Sequence, residues 1–295
     1  MRNLKQELAA GKALITDGAM GTMLQASGLL PGECPELWNL SNPDKLRAIH
    51  RAYKDAGSDI VKTNSFGGSR YKLGMFGLEA QAYEINRAAA ALAREIAGDS
   101  QFVLGCIGPT GEFMEPYGDE TEEAIIAAFA EQARALRDGG ADAVTIETMS
   151  AIEECVAGIK AAKTVSGLAV FASFTFERQV AGGYASMMGV KPADFAKAAA
   201  AAGADAIGAN CGEGAEQMLE IIAEIRSAVP NIPLVTMPNA GLPVLENGVT
   251  TFPGTPSQFA IDEIRLRKVG ATILGGCCGS TPDHIRAAAE AIRRA

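Results

Sequence analysis

Eight short apolar runs, each followed by a glycine-rich or polar turn and then by an amphipathic helical pattern, recur along this sequence. The runs are apolar throughout instead of alternating, which is typical of parallel strands covered by helices. The predicted strands are Ala13–Thr16, Asp59–Thr63, Phe102–Cys106, Ala143–Ile146, Ala169–Phe174, Ala206–Ala209, Pro233–Thr236 and Ala271–Leu274. Eight such units favour a closed (β/α)₈ barrel. The alternative, an open doubly wound sheet, is disfavoured because no Gly-x-Gly-x-x-Gly fingerprint opens the first helix.

The segments between the strands have the periodicity of helices that pack on the outside of the sheet. The predicted apolar faces are formed by Leu46, Ile49 and Tyr53, by Ile125, Phe129, Ala133 and Leu136, and by Met218, Ile221, Ile222 and Ile225. Left-handed helix ends are predicted at Gly57, Gly140, Gly203 and Gly270, and helix starts at Asn42, Thr121 and Thr281. No linker or low-complexity segment divides the chain, so we predict a single domain over residues 1–295.

Composition excludes several classes of function. The formal net charge of −9 argues against a nucleic-acid or anionic membrane partner. No apolar run approaches the roughly 18 residues of a membrane span, and no secretory signal is predicted. The six cysteines lack the spacing of a disulfide scaffold and indicate reduced thiols in the cytoplasm. His50 and His284 both fall in helix-like segments, which disfavours Ser-His and Cys-His catalysis.

Two adjacent cysteines, Cys277 and Cys278, lie between glycines directly after the last predicted strand. Such neighbours seldom form a disulfide, because consecutive Cα atoms are about 3.8 Å apart and a disulfide prefers about 4.4–6.8 Å. Two thiolates on one side of the chain are suited to one soft metal ion, and Cys211, after the sixth strand, is the clearest third ligand. Three sulfurs and one open position predict a zinc-dependent enzyme that alkylates a thiol.

The remaining cysteines leave one alternative open. Cys106, near the end of the third strand, would close a structural site of four cysteines, although such sites usually show paired Cys-x₂-Cys spacing. Cys34 and Cys155 are interpreted as inert thiols, and Cys155 is expected to be buried on a helix.

The functional residues of a (β/α)₈ barrel lie at the carboxyl ends of its strands. Those ends contain almost every polar or glycine cluster of the chain, at 17–22, 63–66, 108–111, 147–148, 210–212, 238–241 and 275–279. A closed barrel also brings the ends of its sixth and eighth strands near each other. The sequence therefore predicts one site on this rim, with the three cysteines within reach of one ion.

The rim motifs resemble those of the homocysteine S-methyltransferases. The resemblance is carried by Asp-Gly-Ala-Met-Gly-Thr at 17–22, Asn-Cys-Gly at 210–212, Pro-Asn-Ala-Gly at 238–241 and Gly-Gly-Cys-Cys-Gly-Ser-Thr-Pro at 275–282. It extends along nearly the whole chain and is closest to the homocysteine-binding module of cobalamin-dependent methionine synthase. It implies a TIM barrel in which Cys211, Cys277 and Cys278 hold Zn²⁺ and the homocysteine sulfur takes the fourth position.

The resemblance also implies where the amino-acid part of homocysteine binds. The implied substrate-binding residues are the carboxylates Asp17 and Glu147 and a carboxylate-binding turn of Gly18, Ala19, Met20 and Gly21. Asn64 and Asn239, which lie on the same predicted rim, are expected as supporting pocket residues. The spacing alone leaves other roles open. Asp17 could cap the next helix, Glu147 could belong to a buried ion pair, and both asparagines could stabilise loops.

The source of the methyl group is less constrained. The chain contains no Asp-x-His-x-x-Gly motif for corrinoid ligation, so we expect methylcobalamin to arrive on a separate methylcorrinoid protein. A small sulfonium or betaine-type donor is the alternative, because aromatic rings bind such cations. Rings are predicted on the rim at Phe66, Tyr71, Phe113, Tyr117 and Tyr184. Met187 and Met188 are predicted to form an apolar surface against which the methyl donor packs.

Two other classes of function compete with the enzyme interpretation. A non-catalytic zinc-storage or corrinoid-docking subunit would hold the metal without binding a thiol. A barrel of the aldolase type would use Lys62, at the end of the second strand, as a Schiff-base amine. The aldolase interpretation leaves the three rim cysteines unexplained.

Overall fold

The structure is a computed structural model that describes residues 3–165, 167–212, 214–246 and 249–295. Its centre is a sheet of eight parallel strands that matches the predicted series strand for strand. The strands are β1 Leu14–Ile15, β2 Ile60–Lys62, β3 Phe102–Ile107, β4 Ala143–Met149, β5 Ala169–Phe174, β6 Ala206–Asn210, β7 Leu234–Met237 and β8 Ala271–Leu274. The predicted (β/α)₈ architecture is confirmed.

The sheet closes into a barrel around β1. On one side β1 pairs with β8, where Ile15 lies beside Leu274. On the other side a parallel bridge joins Thr16 to Ile60, and the Asp59 N–H donates to the Ile15 carbonyl. The other strands pair with their neighbours in the chain, so the carboxyl ends of β6, β7 and β8 lie side by side.

Helices cover the outside of the barrel, and the first one packs Leu4 and Leu8 against the apolar cluster of the barrel interior. They are α1 Leu4–Ala9, α2 Met20–Ala26, α3 Trp38–Ser41, α4 Pro43–Asp55, α5 Arg70–Gly74, α6 Ala82–Ala97, α7 Glu122–Asp138, α8 Ile152–Lys163, α9 Pro192–Ala201, α10 Ala215–Ala228, α11 Pro256–Lys268 and α12 Pro282–Arg294. All the residues predicted to form the apolar faces of α4, α7 and α10 are buried. The four glycines predicted at helix ends all have positive φ.

The three predicted helix starts are confirmed. The Thr121 side chain accepts the Ala124 N–H, and Thr281 forms a capping box with His284. Asn42 is the N-cap of α4 as predicted, but its side chain accepts no helical N–H and donates instead to the Ser41 hydroxyl. The fixed φ of proline at the first position of α4 starts this helix without a side-chain cap.

The barrel interior changes from apolar to polar along the strands. A cluster that includes Leu14, Ile60, Leu104, Phe171, Val235 and Ile273 fills its lower part. Side chains two positions apart on a strand point to the same face, so Lys62 and Cys106 follow Ile60 and Leu104 on the inward side. The polar layer therefore lies at the carboxyl ends, where the candidate site residues collect.

Two antiparallel hairpins extend from the rim after β5 and β7. They pair Glu177–Arg178 with Tyr184–Ala185 and Val244–Glu246 with Val249–Thr251. His50 lies in the helix core, where burial lowers its pKa to about 4. In the described part of the chain, no helix is both long and apolar enough to cross a membrane.

Candidate active site

The three predicted metal ligands meet at the ends of β6 and β8. The sulfurs of Cys211, Cys277 and Cys278 all lie within 4.8 Å of one another, and Cys211 Sγ is 3.7 Å from Cys278 Sγ. Sulfurs bound to a tetrahedral zinc at about 2.3 Å would lie about 3.8 Å apart, along one edge of the tetrahedron. The spacing fits one ion shared by three thiolates, and no second cluster of this kind occurs among the described residues.

Hydrogen bonds to β7 hold both ligand loops. The Cys211 N–H donates to the Met237 carbonyl, and the Cys277 N–H donates to the Pro238 carbonyl. Cys211 has a left-handed backbone with φ 59°, a conformation that is uncommon outside glycine and is found at functional sites. The turn at Cys211 therefore ends β6 abruptly and places the sulfur beside the loop that follows β8.

Ser280 joins the vicinal cysteines to the turn after β1. Its hydroxyl donates to the Cys277 carbonyl at 2.6 Å and accepts the Ala19 N–H at 3.1 Å. The backbone of Gly276 passes so close that a Cβ there would collide with this hydroxyl. The loop of Cys277 and Cys278 and the predicted substrate turn are thus fixed relative to each other.

The cysteine cluster favours a cation. A hydrogen bond from Cys277 lowers the pKa of Cys211, but the hydrogen bond to Cys278 and burial outweigh it and raise that pKa to about 11. The hydrogen bond with Cys211, followed by burial, raises the pKa of Cys277 to about 12. Three thiolates this close repel one another unless a positive charge lies between them. The donor set therefore fits a soft divalent metal, which deprotonates coordinating thiols.

Cys106 does not join this cluster. Its Sγ donates to Glu147 Oε1 at 2.7 Å, and burial, with Glu147 adding to it, raises the thiol pKa well above the ordinary value. The four-cysteine alternative is therefore not supported. Cys34 and Cys155 are buried, Cys155 on α8 as expected.

Asp17 does not cap the helix that follows it. Ala19 is the N-cap of α2, which has no side-chain cap. Asp17 Oδ2 accepts a 2.7 Å hydrogen bond from the Lys62 N–H, whereas Oδ1 is buried without a hydrogen-bond partner. Burial raises the pKa of Asp17 to about 7, against the opposing effect of Lys62. A buried acceptor without a donor is suited to a donor from a ligand.

Glu147 and Lys62 lie close to Asp17. Glu147 Oε2 is buried without a hydrogen-bond partner, and Lys62 Nζ is 3.9 Å from Asp17 Oδ1 in a loose ion pair. Burial alone would lower the pKa of Lys62, but Glu147 and Asp17 outweigh it and raise that pKa. A lysine that stays protonated is not a nucleophile, so the aldolase interpretation is not supported.

Asn210 connects the three-cysteine cluster to the strand that carries Glu147. Its Oδ1 accepts the Thr148 N–H at 3.0 Å and the Ser173 hydroxyl at 2.7 Å. Its Nδ2 donates to Thr148 Oγ1 at 2.8 Å and points to Cys277 Sγ at 3.9 Å. The sequence predicted no separate role for Asn210, and its position directly before Cys211 is the signal that would have identified it.

The two predicted pocket asparagines both hold loops. Asn64 Nδ2 donates to the Pro35 carbonyl at 2.8 Å, and Asn239 Nδ2 donates to the Gly212 carbonyl at 2.8 Å. Asn239 Oδ1 is buried without a hydrogen-bond partner. Asn239 therefore keeps an acceptor for a ligand, next to the loop of Cys211.

The turn after β1 has one packed side and one open side. A Cβ at Gly18 would lie 2.8 Å from Ser280 Oγ and 2.9 Å from Tyr53 Oη, so glycine is required there. Gly21 is exposed, and nothing lies within 4 Å of a Cβ placed on it. The first N–H groups of α2, at Met20 and Gly21, have no acceptor within the helix and are suited to an anion.

Large apolar side chains are exposed on the rim loops. They are Phe66, Phe113, Tyr117, Met187, Met188, Leu242 and Leu245. Two of the five predicted rim rings make hydrogen bonds to carboxylates. The Tyr71 hydroxyl donates to Glu120, and the Tyr184 hydroxyl donates to Glu220. Phe66, Phe113 and Tyr117 are the members of that set that remain exposed.

Comparisons with known sequences agree with this geometry. Residues 14–292 match the sequence model of the homocysteine S-methyltransferase family. The methionine synthases of Mycobacterium leprae and Mycobacterium tuberculosis are each 34% identical to the chain, over 98% and 97% of its length. The chain spans 25% of the length of each of these relatives.

Solved structures of a homocysteine methyltransferase share the fold of this chain. The metallated form of the homocysteine methyltransferase MmuM from Escherichia coli superposes with a TM-score of 0.77 at 26% identity, covering 95% of this chain and 96% of that one. Its oxidized form also superposes with a TM-score of 0.77, over 97% and 98% of the two chains. The chain therefore belongs to the homocysteine S-methyltransferase family.

Proposed function

We propose that this protein transfers a methyl group to the thiol of homocysteine and so produces methionine. The observation that carries the proposal is the cluster of Cys211, Cys277 and Cys278 at the barrel mouth of a member of this family. Two buried carboxylates, Asp17 and Glu147, each keep an oxygen without a hydrogen-bond partner in the same polar layer. Ligands for a thiol-binding ion at one place and acceptors for an ammonium at another suit homocysteine.

Zn²⁺ is the ion that we propose for the three cysteines. Thiolate ligands suit zinc, which is not redox-active and cannot oxidise them. When bound, it keeps the acceptor thiol ionised at neutral pH, where a free alkyl thiol with a pKa of about 8.5 is mostly protonated. Cys211, Cys277 and Cys278 would hold the ion with their three thiolates, and the substrate thiol would complete its ligand set.

The amino-acid end of homocysteine binds to the residues near Asp17. Asp17 Oδ1 and Glu147 Oε2 accept hydrogen bonds from the α-ammonium. The turn from Gly18 through Ala19 and Met20 to Gly21 receives the α-carboxylate at the start of α2. Asn239 supplies a further acceptor, and Asn64 supports the pocket by fixing the loop after β2.

Orientation is the main contribution of the protein to the methyl transfer. The new sulfur–carbon bond forms while the bond between the methyl group and the donor breaks, and its electron pair stays with the donor. The thiol proton has by then gone to solvent. Lys62, Met237 and Asn210 are buried below the site, so the donor approaches from the open rim. Fixing the sulfur along this line of approach reduces the entropic cost of bringing the thiol and the donor together in the reactive orientation.

We infer that the methyl group comes from methylcobalamin on a separate methylcorrinoid protein. The methionine synthase relatives and the exposed apolar residues on the rim support this donor. A small sulfonium or betaine-type donor is the alternative, and the exposed rings of Phe66, Phe113 and Tyr117 favour it. The cytoplasm is the proposed location, because the ligand cysteines must stay reduced.

Methionine formation by the zinc-loaded protein tests this proposal. Homocysteine is supplied with methylcobalamin, S-methylmethionine or betaine, and the Cys277→Ser variant is the control. We expect product with methylcobalamin and none from the control. Product with S-methylmethionine or betaine alone would replace the corrinoid donor by the small-molecule one. Zinc retention without binding of any thiol would contradict the enzyme and favour a non-catalytic subunit.

A further inference from the structure

Three buried charged atoms lack close partners at the polar end of the barrel. Lys62 is 7% exposed, and its Nζ is 3.5 Å from the Gly276 carbonyl and 3.6 Å from Met237 Sδ. Asp17 Oδ1 lies 3.9 Å away, and Glu147 Oε2 has no hydrogen-bond partner. An ammonium has three donors and prefers acceptors at about 2.7–3.2 Å, so the contacts of Lys62 are long.

This arrangement is unfavourable for the protein alone. Burying an ammonium or a carboxylate destabilises the protein unless a close partner compensates the charge, and a loose ion pair compensates little. The backbone contact of Asp17 Oδ2 with the Lys62 N–H fixes where the carboxylate lies but does not bring Oδ1 to the ammonium. A bound molecule that carries both signs of charge would satisfy all three groups.

One cation beside two carboxylates is complementary to a zwitterion. The α-ammonium of an amino acid has donors for Asp17 Oδ1 and Glu147 Oε2, and its α-carboxylate has acceptors for Lys62 Nζ. Lys62 contacts the carbonyl directly before Cys277, and Asp17 directly precedes the Gly18–Gly21 turn. A ligand held here therefore lies between the ligand loop and the turn after β1.

We propose that Lys62 is a substrate-binding residue that pairs with the α-carboxylate of the acceptor, together with the backbone of the turn. Lys62 thereby selects thiols that carry an α-amino acid group over thiols that lack the carboxylate. This inference rests on the proposed function, because it takes an amino-acid thiol as the acceptor. It adds a charged side chain to the backbone N–H groups that receive the same carboxylate.

Calorimetric titration of the zinc-loaded protein with three thiols tests the role of Lys62. The thiols are L-homocysteine, γ-mercaptobutyrate, which lacks the ammonium, and homocysteamine, which lacks the carboxylate. We expect Lys62→Met to weaken binding of the first two by about 10–100-fold, as the loss of a charged hydrogen bond does. Homocysteamine should bind equally well or more tightly, because the variant removes a cation that repels its ammonium.

The controls separate this contact from a structural role. Lys163→Met removes a lysine that is paired with Asp205 on the outer surface and should change none of the three affinities. Lys62→Gln is measured alongside in case the methionine variant does not fold. It should also weaken binding of the two thiols that carry a carboxylate and spare homocysteamine. An equal loss of affinity for all three thiols would overturn the inference. So would a loss of affinity confined to L-homocysteine and homocysteamine, the two thiols that carry an ammonium. Failure of the unmodified protein to bind homocysteine would instead refute the proposed function.

Discussion

Replacing Asn210 by alanine tests whether one side chain holds the metal ligands and the carboxylate strand together. Asn210 is buried, and its amide makes short hydrogen bonds with the Thr148 N–H, the Thr148 hydroxyl and the Ser173 hydroxyl. Alanine removes all three. Thr148, with its left-handed φ of 61°, then loses the contacts that hold its backbone directly after Glu147.

The expected loss of stability follows from burial. A buried polar group left unpaired costs about 1–3 kcal/mol. Ser173 is fully buried and loses this acceptor, whereas Thr148 is half-buried and recovers part of the loss through water. We therefore expect the free energy of unfolding of the metal-free protein to fall by about 2–4 kcal/mol. The weak contact from Nδ2 to Cys277 Sγ is also lost, which should lower zinc affinity by about 10–100-fold.

Urea unfolding of the metal-free variant and zinc competition with a chromophoric chelator measure the two effects separately. Ser173→Ala is the matched control, since it removes one hydrogen bond and leaves those between Asn210 and Thr148. It should cost about 1 kcal/mol and leave zinc affinity unchanged. The reasoning is refuted if Asn210→Ala unfolds within about 0.5 kcal/mol of the unmodified protein and binds zinc equally well.

Three further changes have defined outcomes. Cys277→Ser should lower zinc affinity by more than about 100-fold while the melting temperature of the metal-free protein changes little, because the residue lies at the rim; zinc content and thermal unfolding check this. Glu147→Gln should retain zinc but weaken homocysteine binding by about 10–100-fold, and unchanged binding would remove Glu147 from the ammonium site. Glu263 is fully buried with both oxygens unpaired, and burial, followed by Asp262, raises its pKa well above the ordinary value. The native state then keeps a proton that the unfolded state loses above about pH 4.3, so stability falls by up to about 1.4 kcal/mol per pH unit as pH rises through this window. Glu263→Met should therefore stabilise the protein more at about pH 8 than at about pH 5 in urea unfolding, and an equal effect at both would contradict the assignment.

The strand series and the cysteine cluster were predictable for the same reason. Apolar runs fix where parallel strands lie, and barrel closure then brings the ends of β6 and β8 to either side of β7. Cys211 and the vicinal pair become neighbours through this topology, although they are far apart in the chain. Predicting that the three cysteines are neighbours therefore requires the order of the strands but not the direction of any side chain.

Other features depend on backbone detail that the sequence does not reveal. The hydrogen bonds of Asn210 require the left-handed turn at Thr148, which is not glycine and gives no sign of its conformation. Lys62 was placed on the rim by its position at a strand end, but the pleat turns it inward among carboxylates. The role of Asp17 could not be separated from a helix cap until α2 was seen to begin at Met20.

The separation of the ligands along the chain has a consequence beyond chemistry. Cys211 and Cys278 are 67 residues apart in the chain. One ion bound to both would therefore join the two ends of a segment that contains α10, β7, α11 and β8. Loop closure restricts the opened chain, and anything that binds the native form alone adds to its stability. Metal scarcity would loosen this segment of the molecule first and expose it to proteolysis. Metal supply would then govern the lifetime of the protein as well as its turnover of substrate.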